Sequence, residues 1–335
     1  MNKKKPRVLI IRCGLLGDTI DSTAVVKPLI NYFGDELEIE WVTKPNLIDL
    51  FKYDSRITPL ILKFTKLPLL LNIGKLKIIF KSYFKPYDAV INLEVGSKFK
   101  SLARFVKSNI KVGMPYKYIA ENVKGEHRVH HQLRILKSYF SDIKTNNIYP
   151  YLIGSDIDVS KKYNLTKEYI VICPTNSHFK NKNYRGYRAW PINNWISLIN
   201  KVLKNTHLDI VITGGQNEEK FINQIDTSYE RIHNLCGKTN IPDLFEVMKK
   251  SICVIANDSG AVHVAGVSCE KVIALHGPTS FKESGPFGRI NNIIIEANVN
   301  LNCSPCYNTS IIKSCPSNKC MIELSPDTVF NYILK

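Results

Sequence analysis

No uninterrupted apolar stretch in this sequence approaches the ~20 residues that a membrane-spanning helix needs. The basic start, Met1–Pro6, is followed by an apolar run, Val8–Ile11, too short for the core of a secretory signal. The expectation is a soluble, cytoplasmic chain. Low-complexity tracts and repeats of ~20–50 residues are absent too, which leaves no support for a repeat architecture. The G-x-G-x-x-G fingerprint of dinucleotide enzymes is missing, as is the P-loop lysine. A nicotinamide oxidoreductase is therefore disfavoured.

Acidic residues are scarce: 29 Asp and Glu stand against 46 Lys and Arg, for a net charge of +17. The imbalance is lopsided. Residues 1–150 carry a net +13 and residues 151–335 only +4. The amino-terminal half is thus expected to meet something anionic: nucleic acid, a phospholipid surface or a phosphorylated substrate. A lysine-rich surface without any partner would give the same count. No RNA-binding signature or interleaved aromatic and basic platform is present, which argues against nucleic acid as a partner.

The 335 residues, 44% of them apolar, suffice for two domains of ordinary size. Short apolar runs alternate with helical patterns in both halves. In the first, strands are expected at Arg7–Arg12, Glu38–Val42, Ile57–Leu62 and Ala89–Leu93, with a weaker one at Ile110–Val112. Helices are expected at Thr19–Phe33, Ser97–Lys107 and His130–Phe140. In the second, strands are expected at Tyr169–Cys173, Leu208–Thr213, Ile252–Asp258 and Lys271–Gly277. Helices are expected at Ile192–Lys204, Glu218–Ile225, Pro242–Lys249 and Gly260–Ser268. This alternation predicts α/β architecture: two doubly wound, mostly parallel sheets with helices on both faces. The polar connector Tyr151–Lys167 divides them into domains of 1–155 and 156–335. A last helix, Asp327–Leu334, could cross back to the first domain.

In open α/β sheets ligands sit beyond the carboxyl ends of strands, so the residues that follow each strand are the candidates. After the first strand comes "GLLGD". A carboxylate there, Asp18, would compete with a phosphate for the same amides, so the turn is a poor diphosphate cradle. Asp18 suits either a helix cap or a general base facing an acceptor hydroxyl, with Gly17 and Thr19 beside it on the acceptor side. In the second half, "NDSGAVHVAG" opens a helix whose free N–H groups, at Ser259, Gly260 and Ala261, suit a diphosphate. Asp258 and His263 flank them. "PTNS" offers Thr175, Asn176 and Ser177 as donors. "YRAWP" offers Arg188 to a departing diphosphate. "GGQNEE" places Glu218 and Glu219 where one carboxylate could take both hydroxyls of a ribose, or cap a helix. Together these describe a nucleotide-binding second domain and a first domain that brings a base.

Five of the nine cysteines (Cys13, Cys173, Cys236, Cys253, Cys269) are scattered and read mostly as small core residues. Cys303, Cys306, Cys315 and Cys320 cluster as C-x2-C-x8-C-x4-C, a partial match to a structural zinc site or a loop of reduced thiols. The stretch 66–85 mixes apolar residues with five lysines. It reads as a segment lying on an anionic bilayer or as a core helix with a lysine-rich outer face.

"VLIIRCGLLGDTIDSTAVV", "RAWP", "GGQNEE", "LCGKTNIPDLFEVMKKSICVIANDSGAVHVAG", "VIALHGPT" and "CMIELSPDTV" together resemble the ADP-heptose:lipopolysaccharide heptosyltransferases, glycosyltransferase family 9. The likeness runs through nearly the whole chain in family order. It implies a GT-B fold, with two Rossmann-like domains around a deep cleft. It also implies inverting, metal-independent transfer of a heptose from ADP-L-glycero-D-manno-heptose to the lipopolysaccharide inner core at the inner membrane, with no cofactor in catalysis. By motif, Asp18 is similar to the family's general base, Arg188 to a basic residue at the diphosphate and Glu218 to a carboxylate at the ribose. Asp258 with Ser259 to His263 matches the donor block. The chain departs from the pattern at Ala24, where a proline is usual, and in the long basic stretch 178–187. The alternative is a GT-B transferase using a different nucleotide sugar for cell-surface glycan synthesis.

Overall fold

All five residues of β1 (Arg7–Ile11) are buried, as a strand covered on both faces must be. It pairs in parallel with β2 (Glu38–Thr43) on one side and β4 (Tyr87–Asn92) on the other, through Ile10↔Trp41 and Ile10↔Ile91. The computed structural model describes residues 5–63, 69–94, 96–116, 118–121, 123–176, 187–288, 291–296, 301–307 and 309–335. The chain divides into two units, Met1–Ile153 and Gly154–Lys335.

In the first unit the five parallel strands run β3-β2-β1-β4-β5, with β3 at Ile57–Ile61 and β5 at Ser108–Gly113. Pro59 lies in β3, an edge strand, where a missing N–H is tolerated. Helices α1 (Leu16–Ser22), α2 (Val26–Phe33), α3 (Ile73–Phe84), α4 (Lys100–Phe105) and α5 (Arg128–Lys137) connect the strands. The single helix expected over Thr19–Phe33 is broken by a 3-10 turn at Thr23–Val25. Pro28 has no N–H for the carbonyl four residues back, so α-helical bonding cannot run through that turn. Thr23 instead uses its hydroxyl to accept from the Tyr151 N–H at 2.8 Å. The expected helix over Ser97–Lys107 likewise shortens to a 3-10 turn followed by α4.

The second unit opens with α6 (Val159–Tyr163) and has six parallel strands in the order β11-β10-β9-β6-β7-β8. These are β6 (Tyr169–Cys173), β7 (Asp209–Ile212), β8 (Ile232–Asn234), β9 (Val254–Asn257), β10 (Lys271–Leu275) and β11 (Asn291–Ile295). The helices are α7 (Ile192–Asn205), α8 (Glu219–Ile222), α9 (Ile241–Lys249), α10 (Gly260–Ser268), α11 (Phe281–Ser284), α12 (Lys319–Ile322) and α13 (Pro326–Leu334). One core cluster joins Ile172, Trp190, Trp195, Ile255 and Leu275 to Val329 and Ile333 of α13. The last helix, expected as one that could cross back to the first domain, is thus built into the second unit's own core. Its apolar face lies against α7, and Lys201 of α7 pairs with Asp327 at 2.6 Å.

Each sheet reverses its winding once, between β1 and β4 and between β6 and β9. Those are the switch points at which doubly wound sheets bind ligands.

Candidate active site

At the first switch point β1 ends at Ile11 and the chain turns through Arg12–Leu15 into α1. Asp18 sits in the first turn of that helix, where a carboxylate is favoured by the helix dipole. Its Oδ2 accepts from the Leu15 N–H at 3.0 Å, so the capping role is real. Its Oδ1 meets two guanidiniums: Arg12 Nη2 at 3.4 Å, and Arg128, the first residue of α5. Arg128 also lies 3.4 Å from the fully buried Asp21. Glu94, just after β4, completes the group. It accepts from the Cys13 N–H at 2.6 Å and lies 3.8 Å from Arg12. Asp18, its side chain about one quarter exposed, therefore caps with one oxygen and presents the other among cations.

The glycines of "GLLGD" have distinct jobs. A Cβ at Gly14 would fall 2.4 Å from the Asp18 Cβ, so this turn closes only with glycine there. Gly17 is buried inside α1. Thr19 is fully buried, and its hydroxyl donates to the Leu15 carbonyl at 3.0 Å.

At the second switch point, β9 ends on Asn257 and α10 starts at Gly260. Asn257 is fully buried. Its amide donates to the Pro174 carbonyl at 2.6 Å and accepts from the Trp190 N–H at 3.0 Å. One side chain thus pins both Pro174 and the "RAWP" segment to the strand end. Trp190 is fully buried and donates its indole N–H to the Leu324 carbonyl at 2.9 Å.

Asp258 follows and is buried. Arg188 Nη2 lies 2.9 Å from its Oδ2 and 2.6 Å from its carbonyl oxygen. The Thr279 hydroxyl donates to Oδ2 at 2.6 Å. Burial alone would raise the Asp258 carboxyl, but Arg188, His276, Thr279 and His263 outweigh it and hold the group below its ordinary value. His276 has no exposed surface, and burial pushes it below its ordinary value. With the Thr279 proton given to Asp258, the 3.2 Å contact to His276 Nδ1 requires the imidazole to donate. A relay His276–Thr279–Asp258–Arg188 results. Arg188 also lies against the Tyr307 ring, 5.0 Å from its centroid.

Ser259 is the N-cap of α10, with extended backbone. Its hydroxyl is buried and has no hydrogen-bond partner, although a buried hydroxyl is costly to leave so. Gly260 and Ala261 form the helix's first turn, and His263 is buried on it. Glu218 is buried and accepts at Oε2 from Thr175 at 2.5 Å and from the Gly215 N–H at 2.8 Å. Glu219, by contrast, is exposed. Thr175 and Asn176 are both buried. Ser177 and the stretch 178–186 lie outside the described residues.

Sequence reasoning did not single out Arg12, Arg128, Asn257, His276, Thr279 or Tyr307. Arg12, Asn257, His276 and Thr279 lie within the quoted motifs at strand ends, so position alone could have found them. Arg128 and Tyr307 act across the fold and leave no local signal.

The four clustered cysteines form no disulfide in the structure. Among the described residues, no group of three or more His, Cys, Asp or Glu is placed to hold a metal ion. The segment has a packing role. The Cys306 and Tyr307 N–H groups both donate to the Pro278 carbonyl, at 2.9 and 2.8 Å. This sets Tyr307 against Arg188.

Residues 82–315 match the model of glycosyltransferase family 9 (heptosyltransferase). The chain belongs to glycosyltransferase family 9. It is 31% identical over 136 residues to lipooligosaccharide heptosyltransferase 2 of Campylobacter jejuni, covering 39% of this chain and 41% of that one. The chain spans about two fifths of the length of the curated relatives it first matches. A family 9 glycosyltransferase of Veillonella parvula superposes with a TM-score of 0.78 at 20% identity, covering 100% of this chain and 99% of that one. The ADP-heptose lipopolysaccharide heptosyltransferase II of Escherichia coli gives 0.76 at 18% identity, over 98% and 97%. The fold, two parallel-sheet α/β domains, is GT-B.

Proposed function

We propose that the chain is an inverting, metal-independent glycosyltransferase that moves a heptose from ADP-L-glycero-D-manno-heptose to an acceptor of the lipopolysaccharide inner core. The observation that carries this reading is the α10 N-terminus. There an unpartnered buried hydroxyl at Ser259 and three successive backbone N–H groups lie beside Arg188, itself fixed by Asp258. That is an anion site built before its ligand arrives.

In the proposed reaction the acceptor oxygen attacks the anomeric carbon as the bond to the ADP oxygen breaks. The acceptor proton passes to Asp18, and ADP leaves with the electron pair. The transition state has oxocarbenium character, as in other glycosyl chemistry. Negative charge grows on the diphosphate, and Arg188 with the amides of Ser259, Gly260 and Ala261 stabilise it. Glu218 holds the ribose through the carboxylate oxygen that its cap leaves over, with Thr175 and Asn176 lining the donor and His263 behind the diphosphate. Arg12 and Arg128 suit an acceptor bearing carboxylates or phosphates. Such an acceptor would draw Arg128 away from Asp18 and release the oxygen that takes the proton.

A binding titration in the presence of EDTA tests the donor: ADP-heptose against ADP-glucose, UDP-GlcNAc and GDP-mannose. Preference for ADP-heptose supports the reading, followed by NMR of the product's anomeric configuration. Preference for another nucleotide sugar moves the chain to a different transferase on the same fold. Binding of none overturns the donor site.

A further inference from the structure

The lysine-rich stretch read from the sequence forms, from residue 73 onward, an ordered helix with an unusual outer face; residues 64–68, including Lys66, lie outside the described residues. Of α3's side chains, Lys75, Ile78 and Ser82 are buried against the sheet. Ile73, Phe80 and Phe84 point the other way and are 68%, 67% and 76% exposed. At 100° per residue these three fall within an arc of about 40°. Phe80 and Phe84 meet edge to face, with centroids 4.8 Å apart. They are therefore one patch rather than isolated exposed residues.

The patch is bordered by cations. Lys77 and Lys81 run along one flank of the stripe, and Lys85 follows the helix. Lys81 and Lys85 reach Glu40 and Glu38 yet stay about half exposed. Lys107 lies over the Tyr83 ring at the other margin, 5.7 Å from its centroid. The helix itself carries no carboxylate. An apolar aromatic ridge with ammonium groups beside it matches the boundary of a lipid monolayer. There rings enter the acyl edge and lysines stay at the phosphates. Among the described residues no helix is long and apolar enough to cross a membrane, so attachment would be by this surface.

We propose that the exposed face of α3 docks the chain on a bilayer of anionic phospholipid. The inference deepens the proposed function by naming where a lipid-anchored acceptor is met, but its test does not depend on glycosyl transfer. The full chain is sedimented with vesicles of phosphatidylcholine alone and of phosphatidylcholine with phosphatidylglycerol. Binding is expected only to the second, and should weaken by about tenfold or more in Phe80→Ser/Phe84→Ser. Lys77→Glu is expected to cost about fivefold or more and to flatten the salt dependence. Circular dichroism checks that each variant is folded, and transfer to a water-soluble acceptor should be unchanged. Three results would overturn the proposal: no binding to anionic vesicles, equal binding by the double variant, or a dimer of the chain that the double variant dissociates.

Discussion

Arg128 at the start of α5 forms an ion pair with Asp18 in the first turn of α1, 110 residues earlier in the chain. The proposed base is thus held from two directions, by its own helix and by a cation from a distant one. The two influences separate in kinetics. Asp18→Asn is expected to lower turnover by about 10²–10⁴-fold with ADP-sugar affinity unchanged. Arg128→Ala is expected to raise KM for an anionic acceptor by about tenfold or more and to affect turnover less. Steady-state kinetics with a titrated acceptor check both. A collapse of donor affinity in Asp18→Asn would remove Asp18 from the role of base.

Gly14→Ala tests the turn itself. The added Cβ would sit 2.4 Å from the Asp18 Cβ, and neither atom can swing aside, so Asp18 must move. Turnover should fall by about tenfold to a hundredfold, with the ADP affinity of the second unit intact by calorimetry. Equal turnover in the variant would show that Asp18's position does not matter.

The Arg188–Asp258 pair is buried, and removing one charge leaves the other uncompensated. Asp258→Asn is expected to destabilise the fold by about 3 kcal/mol or more, read by denaturant unfolding, and to weaken ADP binding. The Asp258 carboxyl is held below its ordinary 3.8. Its stabilisation is therefore present above that value and is lost as pH falls through the folded one. Tyr307→Ala should weaken ADP binding by a few-fold to about thirtyfold, the range of a cation–π contact.

His276 makes stability fall at a milder pH. Burial holds it below its ordinary 6.5. Below about that pH the unfolded chain takes up a proton that the folded chain resists, so stability is full above 6.5 and declines as pH falls toward the folded value. His276→Asn keeps a donor for Thr279 and cannot titrate. The wild type is expected to lose more unfolding free energy between pH 7.5 and 5.5 than this variant. Equal losses would place the proton elsewhere.

The sheets could be read because their strands are short, continuous apolar runs, and β1, β6 and β9 all lie where those runs do. The edge strands of the second sheet escaped notice. β8 has only three residues, and β11 begins on two asparagines, so neither carries the pattern of a covered strand. The helix break before Pro28 follows from the proline's missing donor, yet the apolar period across Thr19–Phe33 conceals it. At the candidate site, Asp18, Asp258 and Ser259 were visible because each follows a strand. Their partners were not. Arg128 meets Asp18 only through the packing of α5 against α1, and Tyr307 meets Arg188 only because a backbone carbonyl at Pro278 holds its loop. Sequence shows which residues a turn presents, and tertiary contacts decide what they touch.

The Trp190 indole bonds to the Leu324 carbonyl, and Tyr307 packs on Arg188. Both contacts join the "RAWP" segment to residues more than a hundred positions later. Synthesis therefore finishes the two units very differently. Everything the first unit needs has been made once Ile153 leaves the ribosome. The second unit cannot be completed until α13 has emerged, because α13 supplies part of its core. A nascent chain would carry a finished first unit, with the proposed base in place, well before the core of the second unit could close.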